Sequence, residues 1–145
     1  MKEEIVIRKA TEKDLKKIAE IYKIAFSEKP YNENWSSKTA LERMTFFFKN
    51  KEIFVVENNL KLIGFIGSVV EPWCDAKRGI IVEMAIDKPY RKKGFGKMLV
   101  NYIEENYKKR GVKYMFVESM DETMDYFKKF NYKLAWNIIS KELKW

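Results

Sequence analysis

The sequence predicts one domain of the α/β class, with helices and strands mixed along residues 1–145 in the order βααβββαβαββ. Three observations carry that expectation. Short apolar runs rich in β-branched residues are interleaved with stretches whose apolar residues recur at helical spacing. Apolar residues make up 46% of the 145-residue chain, enough for one real core and too many for a disordered segment. A strand-like run over residues 80–87 passes through a basic, glycine-punctuated turn straight into a long helical pattern.

The elements follow in order. Residues 5–8, Ile-Val-Ile-Arg, read as the opening strand. Thr11-Glu12-Lys13-Asp14 has the residue types of a helix-starting capping box. Leu15, Ile18, Ala19, Tyr22, Ala25 and Phe26 then follow helical spacing, until Pro30 and the polar run 31–34 break it. A second helix begins near Ser36 and carries Leu41, Met44, Phe47 and Phe48. Residues 53–57 form a strand, Asn58-Asn59 a tight turn and residues 60–70 the return strand, where Gly64 and Gly67 point to a bulge. Residues 72–77 read as a loop and residues 80–87 as the next strand. From Gly94 a long helix sets Phe95, Met98, Leu99, Tyr102 and Ile103 on one face, and Gly111 stops it. A strand over 113–118, a short helix over 121–129, and two short strands or a bent hairpin within 131–144 complete the order. The chain has no repeats, low-complexity segments or internal linkers.

Composition excludes several chemistries. There is no histidine, which removes Ser–His and Cys–His nucleophilic schemes and histidine metal sites. The one cysteine, Cys74, excludes an internal disulfide, and a zinc site finds no ligand set, so no metal is expected. Acid–base work is left to carboxylates, tyrosines, lysines, water or backbone. No apolar run approaches the ~20 residues that cross a bilayer, and the first ten residues lack a signal-peptide core, so no membrane contact and a cytoplasmic location are expected. The net charge is +8, with lysine spread over many faces. Charge alone would permit nucleic-acid binding, but no recognised DNA- or RNA-binding signature accompanies it.

The turn is Arg91, Lys92, Lys93, Gly94, Phe95, Gly96, Lys97. Its glycines let a ligand approach the backbone, and the helix it opens offers unpaired N–H groups and a dipole that favours an anion. It is a place to hold a phosphate or pyrophosphate. It is neither a Walker A loop, which would need Gly where Arg91 stands and Ser or Thr where Met98 stands, nor a dinucleotide fingerprint, which would need Gly at Leu99.

What remains, R-x-x-G-x-G between a strand and a helix, resembles the signature of the GNAT superfamily of N-acetyltransferases, [Q/R]-x-x-G-x-[G/A], which lies between that family's fourth strand and third helix. The resemblance runs over roughly residues 5–145. It implies the acyl-CoA N-acyltransferase fold: a mixed, twisted sheet of six to seven strands flanked by about four helices. The fourth and fifth strands splay apart, here between residues 84–87 and 116–118. It implies acetyl-CoA as acetyl donor, its pyrophosphate on the N–H groups of Lys92, Lys93, Gly94, Phe95, Gly96 and Lys97 with Arg91 assisting. Its pantetheine arm would lie along the backbone of Met84, Ala85 and Ile86, where an N–H near Met84 or Ile86 could also polarise the thioester carbonyl. The implied activity is transfer of the acetyl group to a primary amine of a small molecule, peptide or protein, by direct attack in a ternary complex. The loop residue Cys74 is a poor intermediary for a covalent route. A non-catalytic CoA-binding or regulatory module and a basic nucleic-acid-binding domain stand as alternatives. The partners would be CoA and an amine acceptor, with the chain a monomer or homodimer.

Such a transfer needs a neutral amine. A lysine-like amine with pKa ~10.4 is neutral in only about one molecule in two to three thousand at pH 7, so a general base matters. Glu83 is the leading candidate, a carboxylate inside an apolar strand that alternation places on the face of Ile81 and Ala85. Glu118, at the end of the next strand, is the second. Many family members carry a tyrosine, thought to protonate the departing thiolate, in a pattern like A-x-x-[L/F]-Y-x-K-x-G-F. The matching position here holds Phe127, and Asn131 replaces the glycine. Tyr126 stands one residue earlier, about 100° around a helix, and is expected to point elsewhere, so it is carried only as a third candidate. Tyr31, Trp35 and Trp73 are the candidate acceptor contacts, together with Phe26, the aromatics at 46–48, Glu71 and Asp75. Aromatics with carboxylates suit a cationic amine.

Overall fold

The computed structural model describes residues 3–144, so Met1, Lys2 and Trp145 at the ends of the expected domain lie outside the described residues. Five strands form one sheet in sequence order: β1 (Ile5–Lys9), β2 (Glu52–Asn58), β3 (Lys61–Trp73), β4 (Ala76–Ile86) and β5 (Tyr114–Val117). The first four pair antiparallel, and β5 pairs parallel to β4. That parallel pair needs a long crossover, which α3 (Phe95–Lys109) supplies.

Alternation along the strands divides the core into two layers. Ile53, Val55, Phe65 and Ala85 pack with Ile18, Tyr22, Met44 and Phe47 of α1 (Leu15–Ser27) and α2 (Ser37–Asn50). Phe54, Val56, Ile66 and Ile81 pack on the other face with Phe95, Leu99, Ile103 and Tyr107 of α3. The helix starts are set locally. Ser36 Oγ accepts the Thr39 N–H at 3.0 Å while Thr39 Oγ1 accepts the Ser36 N–H at 2.9 Å. Asp14 accepts the Thr11 N–H at 2.7 Å, closing a short 3₁₀ turn ahead of α1. The last helix, α4 (Asp121–Lys128), follows β5.

Three expectations are corrected. Residues 131–144 form no strand, so the sheet has five strands among the described residues rather than six to seven. Alternation marks an amphipathic segment, but a strand also needs a ladder partner, and this segment has none there: Ile138 is 70% and Ile139 92% exposed. Residues 72–77 are not a loop. Trp73 pairs with Ala76 across Cys74-Asp75, and Pro72 sits opposite Lys77 inside the hairpin. Arg78 reinforces that tip, its guanidinium 3.8 Å from the Trp73 ring.

The third correction bears on the site. Gly67 pairs with Glu83 but Ser68 with Ile81, so Val82 is an extra residue on β4. This bulge breaks the alternation. Ile81 faces α3, whereas Val82 and Ala85 join the α1–α2 layer, and Glu83 lies with them, not with Ile81. Gly64 flanks a second register shift, between β2 and β3.

Candidate active site

The β4–β5 ladder runs only from Arg78–Tyr114 to Ile81–Val117, and the Glu118 N–H closes it by donating to the Ile81 carbonyl at 3.0 Å. Beyond that point β4 continues to Ile86 without β5 beside it. The strands part, and a cleft of ≈ 2130 Å³ opens there, with Met84, Ala85, Ile86 and Gly96 on one wall and Val117, Glu118 and Tyr126 on the other.

The basic turn forms the mouth of the cleft. Lys92 (φ 62) and Gly94 (φ 90) are left-handed, which folds the backbone into a concave arc before α3. A Cβ built on Gly94 meets nothing within 4 Å, so the approach to that arc is open. The first turn of α3 leaves its N–H groups without helical partners. Lys92, Lys93 and Lys97 are exposed around it. Arg91 is otherwise engaged: its Nε donates to the Ile86 carbonyl at 2.8 Å and its Nη1 reaches Glu28 Oε1 at 3.3 Å. It ties the end of β4 and the residue after α1 to the turn.

These features fit a CoA-type group. The open arc beside Gly94 matches a diphosphate, and the stretch of β4 that β5 leaves unpaired, the Ile86 carbonyl held by Arg91 apart, offers backbone partners to an extended arm carrying amides. Residues 92–97 and 84–86 therefore meet along one path. Among the described residues no cluster of His, Cys, Asp or Glu could hold a metal ion.

Glu83 stands on the other side of β4, under α1 and α2. It is 8% exposed, and its Oε1 accepts from Arg43 Nη2 at 2.9 Å. Burial pushes its carboxyl above the usual range, Arg43 pulls it back, and Glu33 and Glu118 push it further up. Glu83, Glu118, Tyr31, Glu33 and Glu122 all line the cleft, so its inner end is acidic where its mouth is basic. The Tyr31 ring lies tilted against Phe26, with ring centres 4.4 Å apart. Trp35 stands edge-on to Tyr22 at 4.9 Å and donates its Nε1 hydrogen to Glu33 at 3.0 Å, so it supports this end. Trp73 is not brought to it. Its ring meets Phe116 edge-on at 5.9 Å and Trp136 at a tilt at 5.7 Å near the hairpin tip, about 20 Å of strand from Glu83 at ~3.3 Å per residue. Glu71 is taken up there by Arg78, and Asp75 lies in the turn itself.

Tyr126 and Phe127 both line the cleft. Phe127 is 9% exposed, packed among Tyr126, Phe130 and Tyr132. The Tyr126 hydroxyl is turned into the cleft, where a Cβ on Gly96 would strike it. Burial raises its pKa. The expectation that Tyr126 points elsewhere is thus overturned.

Sequence reasoning missed Arg43, Glu33 and Glu122. Nothing local links position 43 to position 83. The only signal for Arg43 is its place one helical turn before Phe47, over whose ring its guanidinium lies at 4.7 Å.

Residues 15–132 match the family model of the acetyltransferase (GNAT) family. Solved structures agree in fold. A transcriptional regulator from Bacillus halodurans C-125 is 18% identical with TM-score 0.80, covering 97% of this chain and 100% of its own. A possible acetyltransferase from Clostridium difficile 630 is 21% identical with TM-score 0.79, covering 97% and 98%. An aminoglycoside N-acetyltransferase in complex with CoA is 12% identical with TM-score 0.77, covering 99% and 97%. No curated protein matches the chain. On the family match, with the motif turn and the parted strands beside it, the chain belongs to the GNAT family of acetyltransferases.

Proposed function

We propose that this protein transfers the acetyl group of acetyl-CoA to a primary amine by direct attack within a ternary complex. The observation that carries the reading is the continuity of the open turn at Gly94 with the unpaired edge of β4. Bound there, acetyl-CoA supplies an activated acyl group. The N–H groups at the start of α3 hold its diphosphate, and the backbone of Met84, Ala85 and Ile86 aligns its arm. A backbone N–H of Met84 or Ile86 stands to polarise the thioester carbonyl.

The acceptor enters from the acidic end, where Tyr31, Glu33, Glu118 and Glu122 attract a cationic amine. Glu83 takes the proton that makes the amine nucleophilic, with Glu118 nearest the parted strands as the other carboxylate. The Tyr126 hydroxyl, beside Gly96 at the start of α3, serves the leaving sulfur as proton donor, which Phe127 cannot do.

The test is release of free CoA thiol when acetyl-CoA is mixed with a panel of amines: a polyamine, an aminoglycoside, a peptide N-terminus and a lysine peptide. Turnover on one or more supports transfer. A second reading, a CoA-binding module without turnover, is favoured by Phe127 at the tyrosine position; binding with no thiol release from any amine would establish it.

A further inference from the structure

We propose that Arg43 is a positioning residue for the reaction: from α2 it grips Oε1 of Glu83 and so presents Oε2 to the acceptor side of the cleft. This rests on Glu83 acting as the base. The geometry is specific. Arg43 Nη2 lies 2.9 Å from Oε1, and among the described residues no donor is bonded to Oε2, while Glu83 itself lines the cleft. The guanidinium is clamped from below by the Phe47 ring at 4.7 Å. Gly67 makes room for the arrangement, since a Cβ there would press on Phe47 at 3.1 Å and meet Glu83 Cβ at 3.6 Å.

The arrangement carries a cost. Arg43 Nε is buried with no hydrogen-bond partner. An arginine on α2 that sought only solvent would avoid that cost by turning outward. Glu83 therefore holds Arg43 inward and is held by it, on a strand bulge that already aims Glu83 at this layer.

The charged and titratable groups around Glu83 come from every neighbouring element: Tyr22 on α1, Tyr31 and Glu33 after it, Arg43 on α2 and Glu118 after β5. Glu33, Glu118 and burial favour the neutral acid, and Arg43 favours the carboxylate. Removing Arg43 must raise the pH at which Glu83 loses its proton.

The experiment labels glutamate carboxyl carbons with ¹³C, assigns Glu83 by its loss in Glu83→Gln, and titrates wild type, Arg43→Met and Arg43→Lys by NMR. The acidic limb of kcat/KM is measured in parallel on whichever panel amine is turned over. Arg43→Met should move the Glu83 titration up by about one pH unit or more, a tenfold change in proton affinity, and move the kinetic limb with it. Arg43→Lys should fall between and lose rate on the plateau, because a point charge does not reproduce the guanidinium fork. An unmoved Glu83 titration in either folded variant overturns the proposal. If the methionine variant does not fold, the lysine variant alone decides. A titration that moves while the kinetic limb stays put, or a limb that survives Glu83→Gln, instead refutes Glu83 as the base; the grip of Arg43 on the carboxylate then stands without a catalytic role.

Discussion

The two ends of the cleft are built from different materials. At the mouth, residues 92–97 offer main chain: a left-handed arc and the first N–H groups of α3, with lysines as ornament around them. At the inner end, Glu33, Arg43, Glu83 and Glu118 offer side chains from four separate segments. β4 supplies the backbone between Met84 and Ile86 for one end and the Glu83 carboxylate for the other. The difference separates tasks. On the proposed reading, the diphosphate and extended arm common to every reaction of such a donor meet backbone, whose hydrogen-bonding groups a side-chain change can obstruct but does not delete. On the same reading the acceptor and its proton meet side chains, each of which can be changed alone.

That contrast can be broken in order of size. Glu83→Gln should lower kcat/KM by about 10²–10⁴-fold, as loss of a general base does, and leave acetyl-CoA affinity near wild type. A fall in both would mean the two ends are not separate. Gly96→Leu should do the reverse, weakening acetyl-CoA by about tenfold or more in a calorimetric titration, because its side chain drives into the Tyr126 hydroxyl at the start of α3. Tyr126→Phe has a ceiling. A thiol of pKa ~8.5 leaves as thiolate at pH 7 for about 2 kcal/mol, so kcat should fall by no more than about 30-fold, and less as the pH rises past that value. Trp73→Ala, at the far hairpin tip, should leave kcat/KM near wild type while lowering Tm, since its ring covers Arg78. The pH profile sharpens the inner end. With Glu83 as the proposed base, activity should fall as the pH drops through a value above the ordinary ~4.3 of a glutamate, because burial raises that carboxyl.

The same contrast explains what could be read from the sequence. The mouth was legible because a backbone site is written in consecutive residues: Gly94 is where the chain must turn left-handed, and Gly96 is where it must stay bare. The strand and helix order through Lys128 was legible for the same reason, being local periodicity. The inner end was not. Gly67 flagged the bulge, but only the register shows that Val82 is the extra residue and that Glu83 therefore parts from Ile81 and lies under α2. Arg43 lies forty positions from Glu83 and carries no mark of its own in the sequence. Tyr126 was misjudged because a 100° step was counted from an assumed helix orientation. The segment 131–144 has strand periodicity, yet periodicity cannot say whether a neighbouring strand exists to pair with it.

The central claim is that one thioester donor seats on the arc at Gly94 and lies along the open edge of β4. Isothermal titration of the intact chain with acetyl-CoA tests it most directly, followed by hydrogen exchange on the saturated complex. The account predicts one binding event per chain and slowed exchange at the amides of residues 92–97 and 84–86. No heat of binding, or binding that leaves those amides exchanging as before, would contradict it.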